Sequence, residues 1–147
     1  LITATYFFAI ALGAFLSPHI SRIFKRRQAI TLVVVFAWLA VAQILLALQG
    51  GISGFVAVFV MYSVLLGVSE TPASSILHRC ASDHQRSTVL SLRSLIQQLG
   101  AALGLVLTGA VADLYSTPIA WICGALFLFI AAMLALVLVK RLAVEDS

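Results

Sequence analysis

Glu70, Ser74 and His78 follow one another at intervals of four residues, and Ser63 and Gly67 extend the same series upstream. At about 100° per residue these five positions fall on one narrow face of an α-helix. A carboxylate, hydroxyls and an imidazole on one face are suited to carrying protons or to hydrogen-bonding a polar solute. A second series, Arg93, Gln97, Gly100, Gly104 and Thr108, repeats the steps of four, three, four and four. Two such stripes can face each other or border a shared aqueous cavity.

A catalytic reading would pair Glu70 with His78. They are two turns apart on one helix, about 12 Å by rise alone, which is beyond the hydrogen-bond reach that proton transfer requires. The sequence shows no nucleophile–base arrangement, no phosphate-binding loop and no nucleotide motif, so neither an enzyme nor a cofactor is expected. His19, His78 and His84 do not share metal-ligand spacing on one helix, so no metal site is expected. Cys80 and Cys123 are too far apart in sequence to imply a disulfide framework, and two free thiols are expected.

The elements that carry these residues follow from composition. The 147 residues are 63% hydrophobic and 10% charged, with a mean hydropathy of +1.15. Soluble domains carry about 25% charged residues. A chain this short still has a large surface to solvate, so that surface faces lipid. The net charge of +4 would suggest nucleic acid in a soluble protein. Here the basic residues sit between apolar runs, so topology explains them and no nucleic-acid partner is expected.

A spanning helix needs about 20 mostly apolar residues. Residues 1–16, 29–48, 55–77, 88–112 and 119–139 meet that need, the first clipped at its start. The expected fold is therefore an all-α, multi-pass bundle of five spanning helices. The connectors QGGISG and DLYSTP carry no Lys or Arg, and all nine basic residues fall on the opposite side of an alternating five-span topology. The positive-inside rule makes that side cytoplasmic. The expectation is a plasma or inner cell membrane, with the N-terminus of the chain outside and the C-terminus in the cytoplasm. The chain opens at Leu1 within an apolar run and without an initiator Met, and is expected to be truncated upstream.

Polar groups are expensive in hydrocarbon, so their distribution sorts the helices. The second and fifth spans are almost wholly apolar apart from Gln43, and are expected at the periphery. The third and fourth, which hold Ser63, Glu70, Ser74, Gln97, Gln98 and Thr108, are expected inside. A carboxylate at the position of Glu70 costs about 2.5–3.5 kcal/mol to insert. It reads either as a substrate or proton site, or as a structural carboxyl bonded to a neighbouring helix or to a backbone group freed near Pro72. Pro72 removes an intrahelical hydrogen bond and marks a flexing point or a static kink. Gly100 and Gly104 have the spacing of close helix packing. Arg93 is expected to snorkel to the cytoplasmic interface, with an ion pair to Glu70 or Asp83 as the alternative.

This pattern resembles the major facilitator superfamily over nearly the whole chain, with the five spans similar to helices eight to twelve of that twelve-helix fold. The loop SPHISRIFKRRQ stands where the family repeats its cytoplasmic motif Gly-x-x-x-Asp-Arg-x-Gly-Arg-Arg. It keeps only Arg26 and Arg27, with Pro18, Arg22, Ile23 and Lys25 replacing the other motif residues. The stretch DHQRSTVLSLRSLIQQLGAALGLVLTGAVADL resembles the family's tenth loop and eleventh helix. The resemblance implies a partial second half of a secondary transporter, working by alternating access around a site at the interface with the missing N-terminal half. It implies Glu70, Ser63, Gln97 and Ser74 as cavity residues, and a small-molecule substrate, protons and the lipid bilayer as partners. Proton-coupled efflux is one form of this reading and a facilitator another. The alternatives are a non-transporting sensor or interaction protein and an intramembrane enzyme.

Overall fold

The computed structural model describes residues 2–23, 28–80 and 85–145. They form five helices, α1 (Ile2–Ile23), α2 (Gln28–Ala47), α3 (Ile52–Cys80), α4 (Arg86–Leu114) and α5 (Thr117–Glu145), with no strand among the described residues. Each is long and apolar enough to cross a membrane. Apart from α2, the helices outrun the apolar stretches, most clearly at α1, which continues to Ile23, and at α5, which reaches Glu145, and by less at α3, which reaches Cys80. Hydropathy locates the part of a helix that sits in lipid. It does not mark where the backbone stops being helical, and nothing in SPHISRI or HRC compels a stop. Pro18 lies inside α1 and Pro72 inside α3, while Pro118 is the second residue of α5, where its missing N–H has no intrahelical acceptor to lose.

The α2–α3 connection is tight. The amide of Leu48 closes α2 onto the Ile44 carbonyl at 3.2 Å, and the amide of Phe55 opens α3 on the Gly51 carbonyl at 3.0 Å. Between α4 and α5, the amide of Tyr115 donates to the Val111 carbonyl at 3.0 Å.

α1 lies along α3, α2 is wedged between α3 and α5, and α4 rests on α5. Alternating spans make α1 and α3 parallel, and their contacts rise together in number. Tyr6 stacks on Phe59 with ring centroids 6.0 Å apart, Gly13 meets Val64 and Gly67, and Ser17 reaches Val68. Val35 and Leu39 of α2 pack on Val68 of α3, backed by Phe36, Tyr62, Leu65, Leu66 and Leu128. Near the start of α3, Phe55 stacks on Phe59 at 6.1 Å and meets the edge of Trp121 at 6.2 Å, tying α3 to α5.

This packing corrects the expected sorting of helices. α2 is the most enclosed helix, whereas α4 has no buried residue. An apolar run is equally suited to lipid and to a packed interior, so hydropathy alone does not separate the two. A polar side chain enters the α2–α5 contact: Gln43 is buried against Gly124, and its Oε1 has no hydrogen-bond partner among the described residues.

Candidate functional site

The two polar stripes meet at one end of α3 and α4. Glu70, Thr71, Ser74, Ser75 and His78 of α3, with Arg86 of α4, line an open cleft of about 710 Å³. Arg93 of α4 bonds two of the lining residues. Its Nη2 donates to Glu70 Oε2 at 2.8 Å and its Nη1 to Ser74 Oγ at 2.6 Å. The Glu70 side chain is 53% exposed and that of Arg93 20%, so the carboxylate stays reachable from the cleft while the guanidinium is largely covered. Closer to the helix ends, Arg86 Nε donates to His78 Nδ1 at 3.1 Å, which requires that nitrogen of His78 to be unprotonated.

Helix geometry brings these groups together. On α3 the residues at 70, 74 and 78 succeed one another by one turn. On α4 the positions 86 and 93 are seven apart, about two turns, and so project the same way. Arg93 therefore pairs with α3 instead of extending to the interface, and of its two weighed ion-pair partners the structure supplies Glu70. Asp83 lies outside the described residues.

Ser63 does not belong to this cleft. It is fully buried, and its hydroxyl donates to the Phe59 carbonyl of its own helix at 2.8 Å. The α3 stripe is continuous in sequence, but α1 packs over it at Gly67, and only the part from Glu70 onward opens toward α4. Gln97 is exposed on α4 and does not line the cleft. Gly100 is also exposed and Gly104 half-buried, and a Cβ at either would meet nothing within 4 Å. The close packing expected of them is not made within this chain, because α4 rests on α5 through another face. Thr108 turns inward to its own helix, donating to the Gly104 carbonyl at 2.6 Å. Arg26 and Arg27, the retained loop-motif residues, lie outside the described residues, as does His84.

Sequence reasoning missed three contacts. Gly13 and Gly67 face each other where α1 crosses α3. Gly13 and Ser17 are one turn apart, a small-residue spacing that favours close helix approach, a signal that marks a packing face without naming its partner. The Arg86–His78 bond had no sequence signal beyond proximity across a short connector. The Gln43–Gly124 contact joins helices far apart in the chain and had none.

Chemically, the cleft holds an ion pair that protonation of one partner would break. An ionised carboxylate holds Arg93 by charge as well as by hydrogen bond; a protonated one would keep an acceptor oxygen but lose the charge attraction, which would loosen its hold on the guanidinium. The cleft opens to one end of the bundle.

The family description Major Facilitator Superfamily matches residues 1–147, the whole chain. Among curated proteins and among solved structures, no significant match is found. Five apolar membrane-length helices, a polar cleft at one end of the bundle and this full-length family match agree, and the chain belongs to the major facilitator superfamily of membrane transporters.

Proposed function

We propose that the chain supplies helices eight to twelve of a secondary transporter that exports a small molecule in exchange for protons, with Glu70 as the proton carrier. The Arg93–Glu70 pair in the open cleft carries this reading. The one-sided distribution of the nine basic residues supports a cytoplasmic position for the cleft, with the N-terminus of the chain outside and the C-terminus inside a plasma or inner membrane. The other half of the transport pathway comes from the preceding helices of the same polypeptide. In the inward-open state Glu70 releases its proton to the cytoplasm and the bare carboxylate is held by Arg93. A proton arriving from outside breaks the pair, and the two halves rock to the other state.

The test is efflux of the fluorescent cation ethidium from cells expressing the full reading frame. Export that a protonophore abolishes, and that Glu70→Gln reduces at least tenfold, is expected. Export that continues at full rate with the protonophore present supports a facilitator instead, and export unchanged by Glu70→Gln removes Glu70 as the carrier.

A further inference from the structure

A proline inside a helix leaves one carbonyl without its donor. In an α-helix the amide of residue i bonds the carbonyl of residue i−4, so Pro72 deprives Val68, and its ring pushes that carbonyl outward. In a membrane such a group must be satisfied by a neighbouring side chain or water. Here the partner is specific. Ser17 Oγ on α1 donates to the Val68 carbonyl at 2.9 Å, and Ser17, Val68 and Pro72 are all buried.

The approach that allows this bond is built by two glycines. A Cβ on Gly13 would strike the Val64 carbonyl, and a Cβ on Gly67 would strike the Ile10 carbonyl. Only with both side chains absent do α1 and α3 come close enough for a side chain as short as Ser17 to reach the α3 backbone. Glu70 lies midway between the orphaned carbonyl and the proline, in the turn whose own hydrogen bonding is incomplete. Its neighbour Ser69 bonds back to the Leu66 carbonyl at 2.7 Å, so within this turn the backbone's link to another helix runs through Val68.

We propose that Ser17 is a positioning residue for Glu70: its hydroxyl caps the carbonyl freed by Pro72 and so fixes the direction in which the Glu70 turn faces Arg93. The break in α3 is then no free hinge. It is tied to α1, and α1 and the first part of α3 move as one body. The functional weight of this position rests on the reading of Glu70 given above, whereas the capping itself does not.

A double-mutant cycle tests it. Pro72→Ala returns an amide to Val68, so Ser17→Ala has an effect with Pro72 present and almost none without it. In the purified full-length protein, Ser17→Ala is expected to lower Tm by about 2–4 °C in the Pro72 background and by less than a quarter of that in the Pro72→Ala background. The second readout is bridging of Glu70→Cys to Arg93→Cys by a rigid phenylene dimaleimide, with Cys80 and Cys123 replaced by Ser. Ser17→Ala is expected to reduce bridging at least threefold with Pro72 present and to leave it unchanged beside Pro72→Ala. Equal losses of Tm in both backgrounds would make Ser17 a packing residue and overturn the proposal. A background-dependent Tm with unchanged bridging would leave the cap but overturn the positioning. If Ser17→Ala does not accumulate, accumulation of Ser17→Ala/Pro72→Ala supports the cap, and failure of both overturns it. Neither readout uses transport, so a negative Glu70→Gln efflux result would sink the carrier reading and leave this one standing.

Discussion

Arg93 on α4 and Glu70 on α3 are 2.8 Å apart at one end of two helices that otherwise pack on different neighbours, α4 on α5 and α3 on α1 and α2. The pair, with the Ser74 and His78 contacts beside it, is the main link between these two elements. An ion pair this accessible to water contributes at most about 1 kcal/mol to stability. Its effect is on the opening of the cleft. Arg93→Ala should therefore leave Tm within about 2 °C of the parent while raising labelling of a Ser75→Cys thiol in the cleft by a membrane-permeant maleimide at least threefold. The exchanged pair Glu70→Arg/Arg93→Glu should return labelling toward the parent rate. Labelling that is unchanged in Arg93→Ala would mean that packing alone sets the separation of α3 and α4.

The glycines divide into two kinds. Gly13 and Gly67 sit where a Cβ would meet a backbone carbonyl of the facing helix, and neither carbonyl can move without its helix. Gly67→Ala should lower Tm by more than about 5 °C or prevent accumulation, as overpacking costs typically 1–3 kcal/mol. Gly104→Ala meets open space and removes a residue that disfavours helix by about 1 kcal/mol, so Tm should hold or rise. Thermal unfolding of both variants checks the contrast. A larger loss from Gly104→Ala than from Gly67→Ala would show that a helix from outside this chain packs on α4.

These glycines also show what the sequence discloses. Five spans, their order and the stripe Glu70–Ser74–His78 were readable, because run length, basic-residue placement and helical period are properties of short segments. Which helix lies against which was not. The spacing of Gly100 and Gly104 is as good a packing signal as that of Gly13 and Ser17, yet only the latter meets a neighbour here. Ser63 and Glu70 share a face, and the difference between a buried hydroxyl and a cleft carboxylate comes from how far α1 extends over that face. The apolar α2 reads as a lipid-facing helix for the same reason: composition carries no record of the partner. Of the structural alternatives weighed for Glu70, the contact present is the one to a neighbouring helix, through Arg93; the Val68 carbonyl freed by Pro72 takes Ser17 and not Glu70.

Gln43 gives a prediction of the opposite sign to most core substitutions. Its Oε1 is buried without a partner among the described residues, and an unmade hydrogen bond of this kind costs about 1–3 kcal/mol. Gln43→Met keeps length and flexibility and removes both polar atoms. Tm should rise by about 2–4 °C. A fall of that size would mean that the amide is bound by a group outside the chain described here, and Gln43→Glu would then separate a donor requirement from an acceptor requirement.

Topology is open to a direct measurement. The α2–α3 and α4–α5 connections carry no basic residue, and the α3–α4 connection is flanked by Arg79 and Arg86. If the positive-inside rule orients the chain, the first two connections face outward and the third inward. Ser53 and Thr117 are exposed at the starts of α3 and α5, and Gln85 is exposed before α4. In a background with Cys80 and Cys123 replaced by Ser, a membrane-impermeant maleimide applied to intact cells should label Ser53→Cys and Thr117→Cys. Gln85→Cys should react only after the cells are opened. Labelling of all three from outside would break the alternating arrangement of spans. The inverse pattern would keep that arrangement but place the Glu70 cleft on the outer face, and Glu70 would then take up its proton where the present reading has it release one.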